Sequence, residues 1–175
     1  YTLAMSNEPA LRLRVLSLRY SSWSIRPWLA LHHAGLPFET ETVELDTLGA
    51  LATSEGDDEL TDRRGRGSVS GFFPVLWVGD TPIHESLAIC EWVAESRPDL
   101  WPSDRLERAR ARALCSEMAT GFPQLRTHLS CHPFARVPGF APDGPTRREI
   151  RRVFEIWSAE LARSGGPYLF GERFG

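Results

Sequence analysis

The chain has no lysine, only three cysteines and no run of 18 apolar residues among its 175 positions. Because all 20 basic residues are arginine, no mechanism can use a lysine amine as base or nucleophile. The cysteines are widely spaced and include no Cys-x-x-Cys pair, which argues against a disulfide scaffold, a zinc ribbon and a dithiol redox site. With no long apolar run and no signal-peptide pattern, the sequence predicts a cytoplasmic protein that does not enter a membrane.

The composition is that of an ordinary globular protein, with 42% hydrophobic and 25% charged residues. A net charge of −3 is too close to neutrality to indicate nucleic acid or an anionic membrane as a partner. The pairs His32-His33 and Cys131-His132 lack further ligands at zinc spacing, so the sequence predicts no metal site.

The first half of the chain alternates between strand and helix patterns, which is typical of a compact α/β domain over residues 11–95. A polar stretch from Thr47 to Gly71 predicts a long loop within it. The predicted elements are a buried strand over Leu11–Tyr20, a helix bracketed by Pro27 and Gly35, a half-buried strand over Phe38–Leu45, a hairpin of Phe73–Val78 and Thr81–Ile83, and a helix over Glu85–Glu95.

Beyond a proline-containing linker at residues 96–103, the periodic segments are all helical and predict an all-α domain over residues 104–175. Apolar residues from Leu114 to Leu129 keep a helical spacing, with a kink expected at Pro123. The tetrapeptide Thr146-Arg147-Arg148-Glu149 has the pattern of a capping box that begins the next helix.

Three serines, Ser21, Ser22 and Ser24, precede or begin the first predicted helix. Helix N-termini stabilise anions, including thiolates, and a serine there can donate a hydrogen bond to a ligand sulfur. A free thiol titrates near pH ~8.5, so half ionisation near neutrality needs about 2 kcal/mol, which one such bond and the helix dipole can supply. The alternative is that these serines only cap the helix. A serine hydrolase is disfavoured because the chain lacks Gly-x-Ser-x-Gly.

Two further segments point to a ligand. In Phe73-Pro74-Val75-Leu76 a proline opens an apolar strand, a place where proline cannot donate to the sheet. The helix that begins Glu85-Ser86 offers unpaired backbone N–H groups, a hydroxyl and a carboxylate at one point. Together these groups can hold the charged end of a small zwitterionic peptide.

The segments Ser21–Arg26, Phe73–Leu76 and Glu85–Ile89, in this order and spacing, resemble the cytosolic glutathione S-transferases, and most closely their serine-type, theta/zeta-like bacterial branch. The resemblance implies a thioredoxin-like N-terminal domain with a mixed four-stranded sheet and helices, followed by an all-α C-terminal domain. Relatives continue into further helices where this sequence stops at Gly175, so the resemblance also implies a helical domain without its end.

The resemblance also implies residue roles. Ser22, four residues before Arg26, would steady the glutathione thiolate, with Ser21 as the neighbouring candidate. Phe73 would precede a cis-proline, Pro74, and pair its backbone with the cysteinyl part of glutathione. Glu85 and Ser86 would hold the γ-glutamyl amine and carboxylate. The contact to the glycyl carboxylate stays open among Arg63, Arg64 and Arg66.

The function implied is a glutathione transferase of the detoxification type: a cytoplasmic homodimer that binds glutathione as co-substrate and conjugates it to a hydrophobic electrophile. Two alternatives remain: a non-catalytic glutathione-fold binding or assembly module, and a glutathione-dependent isomerase. The sequence does not indicate which electrophile is used.

Overall fold

The computed structural model describes residues 9–44, 61 and 63–174. The chain divides into two compact units, Tyr1–Val93 and Ala94–Gly175. A short 3-10 helix, Pro98–Leu100, lies within the stretch predicted as a linker. Most of the loop predicted from Thr47 to Gly71 lies outside the described residues, which resume with a helical turn at positions 63–65.

The first unit is built on the mixed four-stranded sheet that the sequence predicts. Its strand order is β2-β1-β3-β4; β2 runs parallel to β1, whereas β3 is antiparallel to both of its neighbours. Leu13 and Leu76 on the two central strands are fully buried, together with Leu31 and Ile89 from the helices. The elements are β1 Leu11–Val15, α1 Ser22–Ala34, β2 Glu39–Thr42, β3 Val75–Val78, β4 Thr81–His84 and α2 Ser86–Ser96.

Strand β1 is shorter than predicted, because it ends at Val15 rather than near Tyr20. Leu13 and Val15 point to the core, as the alternation indicates. Beyond them, the Ser17 hydroxyl accepts a hydrogen bond from the backbone N–H of Arg19 at 3.0 Å. Such a local serine turn competes with the sheet for backbone groups and diverts the chain.

Helix α1 begins at Ser22, so Pro27 lies inside it rather than near its start, and that part of the prediction is wrong. Ser21 caps the helix, since its hydroxyl accepts a hydrogen bond from the Ser24 N–H, and this cap starts the helix five residues before the proline. The predicted end is confirmed: Gly35 takes up the left-handed conformation at φ 69°.

The two outer strands of the sheet, β2 and β4, differ in their residues and their burial. Strand β2 is mostly exposed rather than half-buried as predicted, and Leu45 at the end of that prediction lies outside the described residues. Strand β4 contains Pro82, which an outer strand tolerates because it pairs on one side only. The predicted β3–β4 hairpin is confirmed, with Val78 opposite Thr81.

The second unit contains helices α3 Arg105–Thr120, α4 Pro123–His128 and α5 Gly144–Ser164. Their apolar cluster consists of Phe122, Val153 and Ile156, with Leu114, Met118 and Leu125 packed against it. The single kinked helix predicted through Pro123 is instead two helices, because Phe122 adopts φ 64° and ends the helical path before the proline. Among the described residues, no helix combines the length and apolar character needed to span a membrane.

The predicted capping box at the start of α5 is wrong. The helix begins at Gly144, and its cap is Asp143, whose carboxylate accepts a hydrogen bond from the Thr146 N–H at 2.8 Å. The apolar face predicted for this helix is only partly buried: Val153 is buried, whereas Phe154 is 58% and Trp157 44% exposed. The spacing of apolar residues alone therefore predicts more buried side chains on this helix than the described residues show.

Candidate functional site

The three predicted ligand-binding segments leave the sheet at the same end. In the register, Arg14 of β1 lies opposite Val75 of β3, and Val75 lies opposite His84 of β4. At this end of the sheet the chain therefore leaves β1 toward the serines, enters β3 from Pro74 and leaves β4 toward Glu85.

The Phe73–Pro74 peptide bond is cis, which confirms the sequence-based expectation. Phe73 is buried, at 7% exposure. Within the described part of the chain, neither its backbone N–H nor its carbonyl has a hydrogen-bond partner. Buried backbone groups are almost always paired, so this donor and acceptor can take the backbone of an extended peptide.

A shallow pocket joins the proline junction to the start of α2. The structure thus brings three predicted site residues, Phe73, Pro74 and Glu85, to one surface depression. Ser21, Ser22 and Ser86 lie outside its lining. The pocket is lined by Ser70, Phe72, Phe73, Pro74, His84 and Glu85.

Glu85 and Ser86 form the corner between β4 and α2. Glu85 is in the left-handed region at φ 79°, and its carbonyl accepts the first bond of the helix, from the Ile89 N–H at 3.0 Å. This conformation is uncommon for a residue with a side chain and is often found at ligand sites. The Glu85 side chain is exposed and makes no hydrogen bond or ion pair with any described residue.

Ser86 is fully buried, and its hydroxyl has no hydrogen-bond partner among the described residues. Buried side-chain hydroxyls are nearly always bonded to protein or water, so an unpartnered one marks a place where a polar ligand group can bind. Its backbone N–H belongs to the first turn of α2, where N–H groups are free of helical bonds.

The serines at the start of α1 differ in their surroundings. Ser22 is half-buried, and its hydroxyl has no partner within the described ranges. Ser21 is half-buried too, but its Oγ lies 3.0 Å from the Oγ of the fully buried Ser24. In the sequence, Ser24 is only one of three serines around the start of α1. Its burial follows from its place on the inner face of α1, about one turn before Pro27 and two turns before Leu31, which are buried as well.

The arginines considered for a glycyl carboxylate have different partners. Arg63 is buried and donates to the Gly71 carbonyl at 3.4 Å. Arg66 donates to the Glu44 carbonyl, and Arg64 is exposed. The side chains of Arg63 and Arg66 thus donate to backbone carbonyls of this chain. These contacts do not favour any one of the three arginines as the partner of a glycyl carboxylate.

Metal-ligand geometry is not found in the described residues, which contain no group of three or more His, Cys, Asp or Glu side chains able to hold an ion. Cys90, Cys115 and Cys131 form no disulfide among the described residues, and each is half-buried.

Comparisons with known proteins agree with these features. Residues 20–96 match the family model described as Glutathione S-transferase, N-terminal domain. A probable maleylacetoacetate isomerase from Caenorhabditis elegans is 34% identical over 106 residues, which is 59% of this chain and 44% of that protein. Glutathione S-transferase 1 from Dianthus caryophyllus is 33% identical over 107 residues, 60% of this chain and 44% of that protein. The matches thus span less than half the length of either relative.

Among solved structures, the theta class glutathione S-transferase from the citrus canker pathogen Xanthomonas axonopodis pv. citri, with glutathione bound, is similar to this chain with a TM-score of 0.61 and 23% sequence identity. The similarity covers 95% of this chain and 76% of that one. At this level of identity, the comparison establishes the fold.

Proposed function

We propose that this chain is a cytosolic glutathione S-transferase, which binds glutathione at the end of the sheet described above and conjugates it to an electrophile. The match of residues 20–96 to the N-terminal domain model of the glutathione S-transferases supports this proposal. The observation that carries the proposal is the buried, unpartnered hydroxyl of Ser86 beside Glu85. This pair lies at the same end of the sheet as the unpaired backbone of Phe73.

Each charged end of a γ-glutamyl group has a complementary partner at this corner. The Ser86 hydroxyl and the free N–H groups of the first turn of α2 would bind its carboxylate, because a helix N-terminus favours an anion. The exposed Glu85 carboxylate would bind its ammonium group. Phe73, held before Pro74, would pair its N–H and carbonyl with the cysteinyl residue of glutathione.

The reactive sulfur would lie near the start of α1, where Ser21 and Ser22 are the candidate hydroxyls. A hydrogen bond donated to the thiolate, together with the helix dipole, lowers the pKa of the bound thiol, and the proton leaves to water. The thiolate then attacks an electrophilic carbon, a carbon–sulfur bond forms, and the leaving group departs with its electron pair.

Several further properties belong to the same proposal. The electrophile is a hydrophobic small molecule, as the family resemblance implies, and the physiological role is detoxification. The protein acts as a homodimer in the cytoplasm, with neither nucleic acid nor membrane as a partner.

A second candidate is a glutathione-dependent isomerase, which the name of the Caenorhabditis elegans relative favours. In that reaction the same thiolate adds to a conjugated double bond and is later expelled, so the binding residues are shared. A third candidate is a module that binds glutathione through these residues without turnover.

The test combines a binding and a turnover measurement. We expect glutathione to bind in isothermal titration calorimetry, and Glu85→Gln to weaken binding about tenfold, since it removes one charge-assisted contact. Glu95→Gln, an exposed change near the other end of α2, is the matched control. Mass spectrometry should detect a thioether adduct with a chlorinated nitroaromatic and the release of chloride.

Absence of glutathione binding by the unaltered protein would contradict the proposal as a whole. Normal binding without any adduct would favour the non-catalytic module. Equal affinity of the Glu85→Gln variant and the Glu95→Gln control would exclude Glu85 from the site.

A further inference from the structure

The segment at residues 68–74, which leads into β3, belongs to no helix or strand. No ladder of backbone hydrogen bonds therefore fixes the orientation of its peptide groups, and side chains do this instead. Ser68 is buried, with 1% of its surface exposed, and its hydroxyl donates a hydrogen bond to the Phe72 carbonyl at 2.5 Å. The direction of this bond is certain, because a carbonyl oxygen can only accept.

Ser68 is itself held firmly in its turn. Its backbone N–H donates to the Arg63 carbonyl at 3.1 Å, and its own carbonyl accepts from the Gly71 N–H at 3.3 Å. Because both backbone groups and the hydroxyl are bonded and the side chain is shielded from water, Ser68 is a well-ordered donor to Phe72.

The Phe72 carbonyl and the Phe73 N–H belong to the same peptide group. This peptide is trans, since the cis bond of the segment is the following one, Phe73–Pro74. In a planar trans peptide the C=O and the N–H point in opposite directions. The bond from Ser68 to the carbonyl therefore turns the Phe73 N–H away from Ser68. This N–H has no partner among the described residues, and both Phe72 and Phe73 line the pocket.

The preceding peptide group, between Gly71 and Phe72, is bonded on both sides. Its carbonyl accepts from the buried Arg63 guanidinium at 3.4 Å, and its N–H donates to the Ser70 hydroxyl at 3.2 Å. Of the four polar groups on the two successive peptides, three are thus bonded by nearby side chains. Within the described part of the chain the Phe73 N–H is the remaining one, and it is the group that a ligand can use.

We propose that Ser68 is a positioning residue for glutathione binding, because its bond to the Phe72 carbonyl directs the Phe73 N–H at the cysteinyl carbonyl of the tripeptide. The inference rests on the proposed function. Without the Ser68 hydroxyl, the carbonyl of the exposed Phe72 can bond to water instead, and the peptide plane can rotate. Glutathione would then have to order the Phe73 N–H on binding, which costs affinity. Ser68 itself lies outside the lining of the pocket.

Calorimetric titration of Ser68→Ala with glutathione tests the proposal. Loss of one oriented neutral hydrogen bond should weaken glutathione binding about three- to tenfold. Ser68→Cys, which keeps a weak donor of similar size, should lie between Ser68→Ala and the unaltered protein. Val69→Ala changes the exposed neighbouring side chain in the same segment and is the matched control, which should bind glutathione as the unaltered protein does.

A second ligand separates positioning from general damage to the site. γ-Glutamylcysteamine keeps the γ-glutamyl group, the amide N–H and the thiol of glutathione but lacks the cysteinyl carbonyl and the glycine. Its affinity should be the same for Ser68→Ala and the unaltered protein, because it offers the Phe73 N–H no acceptor. In NMR spectra of the unaltered protein, the Phe73 amide proton should shift downfield when glutathione is added, and in Ser68→Ala this shift should be smaller.

Equal glutathione affinity of Ser68→Ala and the Val69→Ala control would overturn the inference while leaving the proposed function intact. An equal loss of affinity for γ-glutamylcysteamine would overturn it as well, because the variant would then disturb the whole site. If Ser68→Ala does not fold, Ser68→Cys carries the same comparisons. Failure of the unaltered protein to bind glutathione would instead refute the proposed function, and the inference would fall with it.

Discussion

The Glu149 carboxylate on α5 accepts a hydrogen bond from the backbone N–H of Leu125 on α4 at 2.7 Å. Leu125 is in the first turn of α4, whose own cap position is Phe122, a residue that cannot accept a side-chain hydrogen bond. A carboxylate from another helix thus supplies the missing cap and also places negative charge at the positive end of α4. The same contact holds the two helices in register.

Glu149→Ala should therefore destabilise the protein although it removes little packing. The expected loss is about 1 kcal/mol in the free energy of unfolding, as for other lost helix caps. Urea unfolding followed by circular dichroism measures it, and Glu155→Ala, an exposed glutamate on the same helix, is the control. Equal stability of the two variants would show that the contact to Leu125 does not act as a cap.

Ser86→Ala should have opposite effects on stability and on binding. Alanine removes a buried hydroxyl that has no described partner, so the free protein should gain stability, by up to about 1 kcal/mol. The affinity for glutathione should fall about tenfold, because a carboxylate contact is lost. Thermal melts without ligand and calorimetry with glutathione measure the two effects. A variant that melts lower and binds normally would show that the hydroxyl is structural.

The ion pair between Glu117 on α3 and Arg152 on α5 predicts a pH dependence. The guanidinium bonds both carboxylate oxygens, at 2.7 and 2.9 Å, and this hydrogen bonding holds the pKa of Glu117 below its ordinary value. A lowered pKa in the folded state stabilises the fold above the unfolded-state pKa of about 4.3, and this stability is lost as the pH falls through the lowered value.

Arg152→Gln should therefore lower the urea midpoint at neutral pH and have no effect in strong acid, where Glu117 is protonated in both proteins. The difference should be small and should shrink with added salt, since both side chains are partly exposed. Arg151→Gln, an exposed neighbour, serves as control. A deficit that persists unchanged in strong acid would point to lost packing instead of lost charge pairing.

Replacing Gly67 or Gly65 by alanine should change the stability of the protein in opposite directions. Gly67 has φ +87°, and a Cβ there would lie 2.0 Å from the Arg14 guanidinium, which donates to the Arg66 carbonyl at 3.0 Å. Gly67→Ala should cost roughly 1–2 kcal/mol for the left-handed backbone alone. Gly65 lies in a helical turn, and no atom of the described residues lies within 4 Å of its Cβ position, so Gly65→Ala should be neutral or stabilise by up to about 1 kcal/mol. Thermal melts of both variants check the sign; a shared sign would contradict the argument.

The hairpin could be predicted from a short local pattern, whereas the mixed four-stranded sheet and the cis bond before Pro74 were expected from the family resemblance. One error arose where a distant contact competes with a local rule, and another where two local rules compete. Glu149 fits a capping box by spacing, yet it bonds to Leu125, 24 positions away. A proline rule placed the start of α1 near Pro27, yet the Ser21 cap begins the helix earlier.

The candidate site shows the same division. Glu85 and Ser86 could be identified as candidate site residues from the sequence, because the apolar spacing that follows them predicts the start of a helix there. The burial of Ser24 and Ser86 could not, because exposure depends on what the rest of the chain places against them.

The two outer strands of the sheet carry features that oppose aggregation. A foreign strand that approached β4 would find no main-chain donor at Pro82. One that approached β2 would meet the exposed Glu39, whose carboxylate would lose its hydration. Such borders discourage the sheet from growing by uptake of another chain, a route that leads to fibrous aggregates. Replacing Pro82 and Glu39 by apolar residues would therefore make this sheet more prone to pair with another chain.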